Sequence, residues 1–144
     1  MSSEIEYKDP VVDWETRAYW EACARHELTV QRCGACGKVQ HRPRAICASC
    51  LSGEVETLVA SGRGTVHTFT IVRQNQVPPF ASACPYVLAY VDLEEGPRLM
   101  TNIVGCEPDK VEIGMAVVVD FQDVDTGEHG EASVALAVPR FRPA

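Results

Sequence analysis

The chain has 144 residues, 46% of them apolar, and a net charge of −7, which is enough material for one main domain with a core of its own and a small appendage. No apolar run approaches the ~18 residues of a membrane span, and the opening MSSEIEYKDP lacks a basic stretch leading into an apolar one, so a cytoplasmic protein with no membrane partner is expected. Seven cysteines, an odd number, in a reducing compartment argue against a disulfide framework and for metal or redox use.

The first expected element is a helix from about Trp14 to His26, with Asp13 positioned to accept from the free N–H groups of its first turn. Trp14, Ala18 and Ala22 fall on one stripe, with Tyr19, Trp20 and Cys23 beside it. This apolar surface is wider than a small domain needs. Trp14, Tyr19 and Trp20 are therefore candidate partner contacts, the alternative being that they pack on the chain's own body.

Next comes CGACGKVQHRPRAICASC, residues 33–50. Cys33 and Cys36 form one C-x-x-C hook and Cys47 and Cys50 a second, with ten residues between them. Two such hooks supply the four thiolates of a tetrahedral, closed metal site, which leaves no position open to activate water. Gly34 and Gly37 keep the first hook tight. Structural zinc is the expectation; a rubredoxin-like iron site and a thioredoxin-like redox hook are the alternatives.

The surrounding charge is uneven. Residues 1–30 carry three basic and seven acidic side chains, residues 31–63 five and two, and residues 64–144 five and eleven. Lys38, His41, Arg42, Arg44 and Arg63 make the cysteine module basic, either offsetting the negative charge of a tetrathiolate metal or offering a patch to phosphates. Cys23, Cys84 and Cys106 have no paired spacing and are expected as small buried hydrophobes.

From Glu54 onward the pattern changes to β-rich runs: EVETLVA, GTVHTFTIV, YVLAYVDL, RLMTNIVG, MAVVVDFQDV and ASVALAV. Val66, Thr68, Thr70 and Val72 alternate with His67, Phe69 and Ile71, and glycine- or proline-bearing turns separate the runs. Five or six strands in this space predict a small antiparallel barrel or sandwich. The longest break, RQNQVPPFASACPY at 73–86, holds prolines that cannot donate to a ladder and offers Phe80 on a loop.

Taken together, the aromatic helix, LTVQRCGACGKVQHRPRAICASC, GRGTVHTFTIV, PYVLAYVDLEEGPRLMTNIVGC and IGMAVVVDF resemble the acyl-CoA-associated family with a rubredoxin-like zinc ribbon followed by an OB-fold, once catalogued as a domain of unknown function. The likeness covers roughly residues 13–140. It implies a mainly β fold divided into a leader and helix (1–28), a zinc ribbon (29–56) and a five- to six-stranded antiparallel OB barrel (57–144). It also implies an accessory subunit of a thiolase-fold catalytic partner in acyl-CoA thiolysis, condensation or retro-aldol cleavage. Cys33, Cys36, Cys47 and Cys50 match the family's zinc ligands, while Pro79, Phe80, Pro85 and Tyr86 match only its loop pattern. With Arg42, Arg44 and Arg73 they are candidates for contact with coenzyme A or the partner.

Two other functions remain open. A zinc ribbon with an OB-fold also occurs in nucleic-acid binders, but the acidic barrel half argues against that use, with Phe69, Tyr86, Tyr90 and Phe121 expected as core. A free-standing thioesterase or redox enzyme would need an activated nucleophile. His26, His41, His67 and His129 are scattered along the chain, and none forms a recognisable motif with Cys84 or Cys106. No catalytic residue is assigned.

Overall fold

A computed structural model describes residues 10–78, 80–124 and 136–144. The helix α1 (Arg17–Ala24) is shorter than expected at both ends. Asp13 does accept from the chain ahead, with its Oδ1 receiving the Thr16 N–H at 2.9 Å while Thr16 Oγ1 receives the Asp13 N–H at 3.1 Å. The Arg17 N–H also donates to the Asp13 carbonyl at 2.9 Å, so residues 13–16 form a capped turn ahead of the helix, and Trp14 on that turn is 77% exposed. The expected stripe of Trp14, Ala18 and Ala22 gives way to Ala22 and Cys23 as the buried face. At the far end His26, at φ +60°, takes the left-handed turn that stops a helix. Its ring stacks on Phe121 at 5.2 Å and its Nε2 meets Asp123 Oδ1 at 2.8 Å, which ties the helix to the barrel.

The first sheet contains β1 (Thr29–Cys33), β2 (Val39–Gln40) and β3 (Val55–Val59), in the order β2-β1-β3. EVETLVA, expected with the barrel runs, instead supplies β3, which pairs with β1 from Thr29↔Val59 to Cys33↔Val55. Β3 therefore spans the boundary expected at 56/57. The pairing closes the ribbon and carries the chain to the mouth of the barrel.

The barrel is formed by β4 (Arg63–Val72), β5 (Tyr86–Leu93), β6 (Arg98–Ile103), β7 (Ala116–Val124) and β8 (Leu136–Pro143), closed in the order β4-β5-β6-β8-β7. The wholly antiparallel barrel expected from the sequence is corrected at one seam, where β6 and β8 run parallel at Ile103↔Phe141. The reason is parity: strand directions cannot alternate all the way round a ring of five. Val66, Val87, Val91, Leu99, Val117 and Phe141 fill the interior, each at most 4% exposed. This is the close packing that makes burial the main stabilising term.

Two local devices shape the barrel. A bulge lies between Val66 and Thr68 in the pairing of β4 with β5, and the extra residue reverses the side-chain alternation. Val66 points inward before it, and Phe69 and Ile71 pack against the core after it, so a single alternation through Val72 does not hold. Gly64 permits close approach of β4 to β5, since a Cβ there would lie 2.6 Å from Val91 Cγ1 and 2.7 Å from the Asp92 carbonyl.

The last strand also differs from expectation. The ASVALAV run begins outside the described residues, as does the DTGEHG turn, and β8 continues past it through Pro143. Phe141, in that extension, is the largest fully buried side chain. Tyr90, expected as core, faces outward at 45% exposure, because β5 buries the alternate residues Val87, Ala89, Val91 and Leu93.

Candidate metal centre and adjoining groove

The four sulfurs of Cys33, Cys36, Cys47 and Cys50 lie within 4.8 Å of one another. Cys33 Sγ is 3.6 Å from Cys50 Sγ, and Cys36 Sγ is 3.7 Å from Cys47 Sγ. A tetrahedron with metal–sulfur bonds of ~2.3 Å has edges of ~3.8 Å, so the donor set fits a zinc ion. Cys33 and Cys47 are buried, while Cys36 and Cys50 are exposed. When bound, the ion supplies folding energy and orders the ribbon, with no open coordination position for chemistry.

Both hooks are built by the same backbone bonds. The Cys33 N–H donates to the Lys38 carbonyl at 2.9 Å and Gly37 N–H to the Cys33 carbonyl at 2.9 Å. In the second hook the Cys47 N–H donates to the Ser52 carbonyl at 2.8 Å and Leu51 N–H to the Cys47 carbonyl at 3.0 Å. Inward-turned N–H groups then reach sulfur: Cys36 N–H donates to Cys33 Sγ at 3.5 Å, and Ser49 N–H to Cys47 Sγ at 3.3 Å. Backbone donors from Cys50 and Ser49 hold the Cys47 thiol down at about 6, and the Cys36 N–H lowers that of Cys33. Such donors favour the thiolate form that a metal requires.

The ten-residue connection has little ladder to hold it, and two glutamines do that work. Gln31 Oε1 accepts the Arg44 N–H at 2.9 Å and its Nε2 donates to the Arg44 carbonyl at 3.2 Å. Gln40 Nε2 donates to Gln31 Oε1 at 2.8 Å, and Gln40 Oε1 accepts the Ala48 N–H at 2.9 Å. Sequence reasoning passed over both glutamines, since a polar residue on a short exposed strand carries no signal of a distant backbone partner. Arg42 and Arg44 are carried outward on this clasped segment, both exposed.

His41 links the ribbon to the helix. Its ring meets Tyr19 edge-on at 5.7 Å, and Tyr19 in turn meets Trp20 edge-on at 5.1 Å. Burial, with the Arg42 charge beside it, pushes His41 down to about 4, so the imidazole is neutral at physiological pH. Ala45 N–H donates to Glu15 Oε1 at 3.2 Å, a second tie between this segment and the approach to α1.

Beside α1 lies a groove of about 400 Å³ over β5, β6 and β8. Tyr19 and Trp20 from the helix face Phe80 and Tyr86 across it, and Leu88, Met100 and Arg140 contribute to its floor. Phe80 opens a short 3-10 turn (Phe80–Ala83) and lies 6.2 Å from the Tyr86 ring. Asn75 Nδ2 donates to the Tyr86 hydroxyl at 3.1 Å and anchors the loop base.

Four of the expected contact residues, Tyr19, Trp20, Phe80 and Tyr86, thus meet at one place. Trp14 and Pro85 are exposed but do not line the groove. Arg73 pairs with Asp109 at 3.1 Å, and Pro79 lies outside the described residues. Met100, Asn102 and Arg140 were missed, and only the outward phase of the strand alternation could have signalled them.

The remaining thiols and imidazoles form no catalytic pair among the described residues. Burial raises Cys23 to about 11 and also raises Cys106, while Cys84 Sγ donates to the Phe80 carbonyl at 3.6 Å. His67 Nδ1 accepts from Arg98 Nη2 at 3.1 Å, and Arg98 Nε is held by Asp92 Oδ1 at 2.6 Å. His129 is outside the described residues. Among them, no helix is long and apolar enough to cross a membrane.

Comparisons with known proteins match both halves. The family model described as a ChsH2 rubredoxin-like zinc ribbon domain matches residues 20–56, and that of the ChsH2 C-terminal OB-fold domain matches residues 59–122. A probable enoyl-CoA hydratase alpha subunit of Thermomonospora curvata is 38% identical over 135 residues; the match takes in 94% of this chain but only 39% of that relative. A DUF35 domain-containing scaffold protein of Methanothermobacter thermautotrophicus is 38% identical over 121 residues, covering 83% of this chain and 88% of the relative. Benzoylsuccinyl-CoA thiolase subunit BbsA of Geobacter metallireducens is 35% identical over 74 residues, about half of each chain (51% and 48%). Among solved structures, a chain of the Ltp2-ChsH2(DUF35) aldolase superposes with a TM-score of 0.78 at 38% identity, covering 94% of this chain and 98% of that one.

Proposed function

The chain belongs to the DUF35 family of zinc-ribbon and OB-fold proteins, and from that premise we propose that it is a zinc-bearing accessory subunit of a thiolase-type complex acting on acyl-CoA. Cys33, Cys36, Cys47 and Cys50 are the structural zinc ligands in this reading, and the chemistry resides in a thiolase-fold partner. Coenzyme A or its acyl group is handled at the interface, with Arg42 and Arg44 available to phosphates and the helix–loop groove available to apolar groups.

The observation that carries this reading is the meeting of Tyr19 and Trp20 with Phe80 and Tyr86 around one groove. A chain that only needed a barrel core would not gather aromatic side chains from two distant segments on its outer face. The four rings are half-buried in the chain alone, and aromatic side chains gathered around a groove are a feature of interfaces. Relatives named as a thiolase subunit and as a chain of an aldolase complex support the same reading. Cytoplasmic location and a hetero-oligomeric state follow from it.

The test is purification of the tagged full-length chain from native extract, with its partner identified by mass and the complex assayed for CoA-dependent cleavage. The expected result is co-elution with a thiolase-fold subunit and one zinc per chain, with activity in the complex and none in this chain alone. Turnover of acyl-CoA by the isolated chain would overturn the assignment of chemistry to the partner. Trp20→Ala combined with Phe80→Ala is expected to weaken the complex or raise its KM for acyl-CoA at least tenfold; no change in either would remove the groove from the reading.

A further inference from the structure

The ribbon sheet ends on a strand with a neighbour on one side alone. Among the described residues β3 pairs with β1 and with no other strand. The Gly34 N–H donates to the Glu54 carbonyl at 2.7 Å, and the Ala60 N–H to the Leu28 carbonyl at 2.7 Å. Backbone groups alternate sides along an antiparallel strand. Glu54, Glu56, Leu58 and Ala60 therefore address β1, and the N–H and C=O groups of Val55, Thr57 and Val59 point away from it. The Val55 N–H is taken by the Gly53 carbonyl at 3.0 Å, while those of Thr57 and Val59 meet no partner among the described residues.

Edge strands are commonly guarded by lysine, proline or a bulge, and β3, with the sequence VETLV, has none of these. Val59 is 64% exposed and Thr57 is exposed, while Leu58 on the opposite face packs against the core. From this edge we infer that two copies of the chain join β3 to β3, antiparallel about a two-fold axis at Thr57, so that the two ribbon sheets become one. The Thr57 N–H then donates to the other copy's Thr57 carbonyl and the Val59 N–H to its Val55 carbonyl, each bond made twice by the symmetry.

The strand is self-complementary about that axis, which selects a second copy over an unrelated strand. Val55 faces Val59 and Thr57 faces Thr57, and these β-branched pairs stabilise a sheet. Glu56 faces Leu58, so no like charges are opposed. The pairing also places each barrel half, with five basic and eleven acidic side chains, beside the other copy's ribbon, with five and two. The two acidic barrels stand at opposite ends of the joined sheet, where their repulsion is least. Five residues make a short edge, and their pairing alone falls below the ~1,200 Å² of a standard interface, so the dimer dissociates on dilution. The inference goes beyond the acyl-CoA reading and does not rest on it.

The test follows the mass of the zinc-loaded full-length chain by sedimentation over about a hundredfold range of concentration, where a monomer–dimer equilibrium is expected. Thr57→Pro removes an N–H that β1 does not use and should raise the dimer dissociation constant at least tenfold. Because a proline could disturb folding, Thr57→Lys provides a second variant: it sets two cations face to face on the axis and should weaken the dimer as much, with zinc content and melting of the dilute chain unchanged. Thr57→Cys is expected to link two copies through that position in oxidised glutathione, since paired Cα atoms ~5.5 Å apart can be bridged. Glu56→Cys, placed across from Leu58, is expected to form no such link. A monomer at every concentration, or a dimer that Thr57→Pro and Thr57→Lys leave unchanged, would overturn the inference. So would a monomer whose Thr57→Lys variant no longer retains a thiolase-fold subunit, since the edge would then belong to a partner's strand. If the dimer forms at Thr57 and no thiolase-fold subunit co-elutes, the accessory-subunit reading fails while the dimer stands.

Discussion

Gly37 and Leu51 occupy the same position in the two cysteine hooks, each four residues after the first cysteine, each left-handed at φ +75° and +64°, and each donating its N–H to that cysteine's carbonyl. The left-handed region costs a residue with a Cβ ~1–2 kcal/mol, and a glycine there gives back part of that through the entropy it loses on folding. Leu51→Gly is therefore expected to stabilise the zinc-loaded chain by ~0.5–1 kcal/mol. Gly37→Ala, where a Cβ would meet nothing within 4 Å, is expected to destabilise it by ~1 kcal/mol. Denaturant midpoints of the two variants check both signs, and a lower midpoint for Leu51→Gly would refute the equivalence of the hooks.

Gln40 joins β2 to the segment that carries the second hook, accepting the Ala48 N–H at 2.9 Å and donating to Gln31. Gln40→Ala removes these bonds and leaves the Ala48 N–H to water, at a cost of ~1–2 kcal/mol from the lost hydrogen bonds. Zinc release to a chelator should accelerate about tenfold, while the barrel, which does not use Gln40, keeps its own melting transition. Equal release rates in the variant and the parent chain would show that Gln40 does not hold this loop.

His41 gives the chain a predicted pH dependence. It is neutral and half-buried against Tyr19, with a folded pKa of about 4 against an ordinary value near 6.5. Between those values the unfolded chain binds the extra proton, so this contribution to stability is complete above pH ~6.5 and is lost as pH falls toward 4, up to ~3 kcal/mol in all. Zinc release at low pH adds to the loss in any variant. The comparison is thus between the parent chain and His41→Asn: from pH 7.5 to 5.0 the parent should lose ~2 kcal/mol more. Parallel profiles would mean that His41 is not buried in solution.

Much of the metal centre was legible in the order of residues. Four cysteines at two short spacings define a tetrahedral donor set whatever the surrounding fold, because the hook geometry is local. The β runs were legible for the same reason, since Tyr86–Leu93 and Arg98–Ile103 follow from their own alternation. The helix was legible in existence but not in length, because residues 14–16 form a turn of their own ahead of it and His26 turns left-handed just beyond its end.

Longer-range relationships came only from the tertiary structure. The parallel seam of β6 with β8 is a property of closing five strands into a ring, and Phe141 became core because β8 continues past Pro139. Leu51 adopts a glycine's conformation because the second hook must repeat the first. The groove unites Tyr19 and Trp20 with Phe80 and Arg140, residues whose separation in the chain hides any common purpose. Local spacing determined the metal site; the packing of a helix across a closed barrel decided where the aromatic groove lies.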